Sequence, residues 1–66
     1  MSLATVFDVQ QLLKRFGIFV YIGDRITNLE MMELEIRDLY EMKLINLNDY
    51  QTAILVLRNG IRQEKQ

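Results

Sequence analysis

Apolar residues return at helical spacing in three separate stretches, and each stretch opens on a capping signal. In the first, Val6, Val9, Leu13 and Phe16 form the apolar stripe. Thr5 precedes it as N-cap, with Asp8 at the third helical position of a capping box and Gly17 as the stop. In the second, Leu29, Met32, Ile36, Leu39 and Tyr40 form the stripe. Its start can be a capping box of Thr27 and Glu30, with Ile26 stapled to Met31, or Asp24 as a rival cap about one turn earlier; the sequence does not choose between the two. The helix is expected to end near Lys43 without a glycine. In the third, Leu47, Tyr50, Ile54, Leu57 and Ile61 follow the 3-4-3-4 spacing of a bundle seam. Asn46 caps it, Asp49 answers, and Ile45 can staple to Tyr50. Gly60 weakens this helix by about 1 kcal/mol relative to alanine, and residues 62–66 are expected to fray.

Between the first two stretches lies Ile18-Phe19-Val20-Tyr21-Ile22, β-like in composition but without a partner strand. An extended connector is expected. Alternation puts Ile18, Val20 and Ile22 on one side and Phe19 and Tyr21 on the other, so that one set can enter the core. The fold class is therefore all-α: a single domain over residues 1–66, built as a small three-helix bundle with an extended connector between the first and second helices. Short connections favour antiparallel neighbours, and the hairpin from Thr27 onward is its best-defined part. Met1-Ser2-Leu3 is given no structural weight.

Composition narrows the chemistry. Sixty-six residues, half of them hydrophobic, make one small folded domain. A chain of this size buries only about 60% of its unfolded surface, so a monomer has little margin. Cysteine and histidine are both absent. That removes disulfides, thiolate chemistry, the commonest general base and the commonest metal ligand. No membrane-length apolar run or signal peptide is visible, and a cytoplasmic location is expected. Glu30 and Glu33, and Glu35 with Asp38, could imitate an acid–base or metal pair. They read instead as a solvated helix face. The chain is expected to be no enzyme and to carry no cofactor and no metal.

Charge is uneven. Residues 28–45 sum to −3 and the remainder to +2, giving −1. Arg58, Arg62 and Lys65 share a face of the third helix, and Lys14 and Arg15 complement the dipole at the end of the first. Taken one at a time, Phe16, Phe19 and Tyr21 are expected to pack in the core. Taken together, Phe19 and Tyr21 beside Lys14, Arg15 and Arg25 have the composition of a single-strand platform, in which bases stack on rings and cations follow the phosphates. The candidate nucleic-acid-binding set is Lys14, Arg15, Phe19, Tyr21, Arg25, Arg58 and Arg62, with single-stranded DNA or RNA as the expected partner. The alternative is a protein–protein interaction module or homo-oligomer, using Met31 and Leu34 with Leu55 and Val56 as a second apolar face. The plainer reading of that face is that the connector covers it.

Phe7-Asp8-Val9-Gln10-Gln11-Leu12-Leu13, Tyr21-Ile22-Gly23-Asp24-Arg25, Glu35-Ile36-Arg37-Asp38-Leu39-Tyr40, Leu44-Ile45 and Ala53-Ile54-Leu55-Val56-Leu57-Arg58, in that order, resemble the YqgQ family of small bacterial proteins. The resemblance implies a compact three-helix cytoplasmic protein without known enzyme activity, suspected of binding single-stranded nucleic acid. It brings no established site residues. Lys43 stands where a family glycine is expected.

Overall fold

The computed structural model describes residues 3–66. Three helices follow in order: α1 over Val6–Arg15, α2 over Arg25–Glu41 and α3 over Leu47–Glu64. The start of α1 is a complete capping box. Thr5 Oγ1 accepts from the Asp8 N–H at 3.2 Å, and Asp8 Oδ2 accepts from the N–H groups of Ala4 and Thr5 at 2.9 and 3.0 Å. Those two backbone donors hold the Asp8 carboxyl below its ordinary pKa.

Of the two candidate caps for α2, the structure uses Asp24, so the helix starts a turn earlier and the box of Thr27 and Glu30 does not form. Asp24 Oδ2 accepts from both the N–H and the hydroxyl of Thr27, at 2.8 and 2.7 Å. A carboxylate at a helix N-terminus meets the positive end of the dipole, which a neutral threonine does not. Thr27 then lies inside the helix as the donor. The same bonds lower the Asp24 pKa. Asn46 caps α3, its Oδ1 accepting from the Asp49 N–H at 2.7 Å.

Both α1 and α2 end in a Schellman motif. In the first, the Ile18 and Gly17 N–H groups donate to the Leu13 and Lys14 carbonyls, with Gly17 at φ 75°. In the second, Leu44 and Lys43 donate to Leu39 and Tyr40, with Lys43 at φ 62°. The missing glycine thus leaves the motif intact, with a lysine in the left-handed slot.

The apolar stripes meet in one core. Val9 and Leu13 of α1, Leu29, Met32, Ile36 and Leu39 of α2, and Leu57 of α3 are fully buried. Each such side chain contributes about 1.5–3 kcal/mol. Tyr40 and Tyr50 are half-buried beside them, rings stacked at 4.3 Å. Four positions depart from the expected stripes. Leu12 is buried where Phe16, in the cap position at φ −102°, ψ 12°, has left the helical period and is exposed. Leu47, the first residue of α3, is exposed, and Ala53 is buried. Leu3, given no weight from sequence, is a core residue; Met1 and Ser2 lie outside the described residues.

Gly60 does more than weaken α3. A Cβ there would meet Leu29 Cδ1 at 3.3 Å and Val6 Cγ2 at 3.4 Å, so its absence lets all three helices close together. Arg25 pairs with Glu64 at the same end. At the opposite end, Leu12, Arg15 and Phe16 share a groove with Leu44, Ile45 and Asn46. Hence α2 and α3 are antiparallel, as expected, but α1 and α2 run parallel. The connector explains this. An extended chain advances about 3.3 Å per residue against 1.5 Å in a helix, so residues 17–23 can return the full length of α1.

Candidate nucleic-acid interface

The connector is pinned at both ends. The Schellman turn at Gly17 fixes its start, and the Ile22 N–H donates to Asn28 Oδ1 at 2.9 Å near its end. Between these points the side chains alternate. Ile18 and Val20 pack against the core, whereas Phe19 is 73% exposed and Tyr21 93%. Ile22, expected with the inward set, is exposed, because the chain is already turning into α2. The separate expectation that Phe16, Phe19 and Tyr21 each enter the core is overturned for all three. The core-facing places are taken by Leu12, Leu13, Ile18 and Val20.

Phe19 and Tyr21 border a groove of about 200 Å³ with Lys14 and Gln10 of α1. Its floor is apolar, made by Leu13, Ile18, Val20 and Met32. Two exposed rings, one cation and one amide therefore converge over a hydrophobic base. Gln10 and Met32 were not singled out from the sequence. Gln10 lies one turn before Lys14, a spacing that could have suggested it. Phe7, also exposed, lies one turn before Gln10 on the same face.

The other candidate cations are elsewhere. Arg15 follows Lys14 by about 100° around α1 and lines the groove at the α2–α3 turn. Arg25 lies at the other end of the bundle, its Nε 3.7 Å from Glu64 Oε1. Arg58 Nε donates to Glu33 Oε1 at 3.3 Å, while Arg37 Nη2, one turn along α2, donates to Glu33 Oε2 at 3.1 Å. Arg62 Nη2 donates to Asn59 Oδ1 at 2.9 Å. Arg58, Arg62 and Lys65 do share one groove along α3. Met32 and Glu33 leave α2 about 100° apart, so the Arg58 contact and the aromatic groove lie on different sides of that helix. Of the seven candidates, the structure brings together Lys14, Phe19 and Tyr21.

The second apolar face is also open. Met31, Leu34 and Leu55 are exposed and Val56 is half-buried, so the connector does not cover them. Among the described residues, no three Asp or Glu side chains converge as a metal site, and no helix is long and apolar enough to cross a membrane.

These features define a small all-α domain with an aromatic, singly cationic groove beside its connector. The chain belongs to the YqgQ-like family, whose profile matches residues 3–63. It is 44% identical over 61 residues to a Bacillus subtilis (strain 168) protein described as uncharacterized protein YqgQ, covering 92% of this chain and 86% of that relative.

Proposed function

We propose that the protein is a non-enzymatic cytoplasmic binding module that takes single-stranded nucleic acid across the Lys14–Phe19–Tyr21 groove. The observation that carries this reading is the outward placement of both connector rings beside Lys14. Solvent-facing aromatic side chains cost hydration free energy, and stacked bases would recover it. Lys14 supplies the phosphate contact, and Gln10 offers a donor and an acceptor to a base edge.

The dispersal of the arginines sets the strength. Arg25 and Arg58 already face carboxylates, and the chain is net acidic. Few phosphates are then neutralised. The expected salt slope is about −0.7 to −1.4 in log–log form, one or two phosphate contacts on a single strand. Titration of a fluorescent single strand over a salt series tests this. Lys14→Glu should weaken binding and flatten the slope in a folded variant. Equal binding of single-stranded and duplex probes would speak for a nonspecific charge effect and against the stacking groove.

A second reading is favoured by the exposure of Met31, Leu34 and Leu55. Met31 and Leu34 stand on α2 among Glu30, Asp38 and Glu41, an apolar strip with an acidic border that suits a basic, amphipathic protein partner.

A further inference from the structure

The last turns of α3 sort their polar residues onto two sides. Asn59, Gln63 and Glu64 line one groove together with Arg25, and Glu64 makes its ion pair there. Arg58, Ile61, Arg62 and Lys65 line another, of about 350 Å³. Among the described residues, no acid lines this second groove. Its surface is mostly apolar, made by Ile61 and the alkyl stems of the three long cations.

Those cations are only partly neutralised within the molecule. Arg58 shares Glu33 with Arg37, so one carboxylate answers two guanidinium groups. Arg62 donates to the neutral Asn59 amide. Among the described residues, neither Arg62 nor Lys65 is paired with a carboxylate.

The groove continues into an exposed apolar residue. Leu55, 70% exposed, precedes Arg58, Arg62 and Lys65 by three, seven and ten residues. That spacing confines the four side chains to an arc of about 80° on α3 and spreads them along about 15 Å. It is the three-four alternation along which one helix lies against another. The buried stripe of α3, Ala53, Ile54 and Leu57, faces the other way and is committed to the core.

Three classes of partner bring negative charge, and this face selects among them. The bases of a single strand need rings to stack on, and no aromatic residue lines the groove. An anionic membrane takes up helices with a broad apolar face. Here Ile61 is half-buried against the core, and Leu55 is a single exposed side chain. A protein helix with carboxylates beside an apolar residue matches both the charge and the spacing.

We propose that the outward face of α3 docks an acidic, amphipathic helix of a protein partner. An apolar side chain of that helix packs on Leu55, and its carboxylates meet Arg58, Arg62 and Lys65. The surface uses none of the residues lining the Lys14–Phe19–Tyr21 groove. Its charge is opposite to that around Met31 and Leu34 on α2.

Fluorescence anisotropy of a labelled three-heptad helical peptide, with Leu and Glu on one face and Ala and Gln elsewhere, tests the proposal. The wild-type chain should bind it, more weakly as salt rises. Arg62→Gln with Lys65→Gln should bind about tenfold more weakly, with unchanged helical circular dichroism. Leu55→Gln should also weaken binding, whereas Lys14→Gln should leave it unchanged. Arg62→Glu with Lys65→Glu should reverse the preference, holding a peptide with Lys in place of Glu better than the original. No binding by the wild type, equal affinity in the folded Gln double variant, or polyglutamate held as tightly as the peptide would overturn the proposal. So would a single-stranded oligonucleotide, or phosphatidylglycerol vesicles, whose binding depends on Arg62 and Lys65 more than the peptide's does.

Discussion

Gly60 of α3 and Leu29 of α2 approach so closely that a Cβ on the glycine would lie 3.3 Å from Leu29 Cδ1. Leu29 is fully buried and has little room to move. Alanine at position 60 gains about 1 kcal/mol of helix propensity and loses a similar amount to crowding. Gly60→Ala should therefore shift the urea midpoint little. Gly60→Val adds further volume against Leu29 and Val6 and should destabilise the fold by about 1–3 kcal/mol. A valine variant as stable as wild type would show that the helices are not packed at this distance.

Lys43 gives the opposite expectation. The left-handed slot costs a lysine about 1–2 kcal/mol, part of which glycine returns as unfolded-chain entropy. Lys43→Gly should stabilise the dilute protein by about 0.5–1 kcal/mol in denaturant unfolding. A loss of stability would mean that the lysine side chain holds the turn by a contact of its own.

The caps make stability depend on pH. The carboxyls of Asp8 and Asp24 both lie below their ordinary value of 3.8 in the folded protein. A depressed folded pKa means that the unfolded chain binds protons first as pH falls. The contribution is complete above the ordinary carboxylate range and is lost as pH descends through the folded values. Thermal midpoints should thus hold level near neutrality and fall below about pH 4. Asp24→Asn keeps a capping oxygen without the charge and should flatten part of that fall. An unchanged acid profile in this variant would remove Asp24 from the account.

Much of the fold was legible in the sequence, because periodicity and caps are local. Thr5 with Asp8, Asn46 with Asp49 and the stop at Gly17 each involve residues within a few positions. The stripe of α2 was readable for the same reason. Errors gathered where a local pattern meets its edge. Phe16 keeps helical spacing in sequence but occupies a cap, and Leu47 begins its helix at the exposed end of the bundle. Thr27 and Asp24 are both good caps, and the choice between them lies with the carboxylate's charge and its two bonds to Thr27.

The candidate site was less legible, because its cations are assigned by contacts between distant residues. Arg58 meets Glu33 and Arg25 meets Glu64 only after α2 and α3 pair. The alternation of the connector did predict that Ile18 and Val20 would turn away from Phe19 and Tyr21. Which pair entered the core depended on the groove floor that Leu13 and Met32 provide. The parallel course of α1 and α2 followed from the length of the extended connector.

The salt bridge of Glu33 to Arg58 offers a control for the charge argument. Glu33→Gln removes the negative charge that Arg37 and Arg58 share, leaving one amide oxygen as acceptor, and should cost no more than about 1 kcal/mol, since both arginines are partly solvated. It should change single-strand affinity less than Lys14→Glu does, because Arg58 lies on another side of α2 from the aromatic groove. A larger effect at Glu33 would move the binding surface to α3.

The most direct measurement is the affinity of a fluorescent single-stranded oligonucleotide for the wild-type chain and for Phe19→Ala with Tyr21→Ala, at low salt. Both rings are exposed, so the double variant should fold normally. Binding should be present in the wild type and weaker in the variant by about 1–3 kcal/mol for each ring removed. Undetectable binding by the wild type, or equal affinity in the folded double variant, would contradict the account.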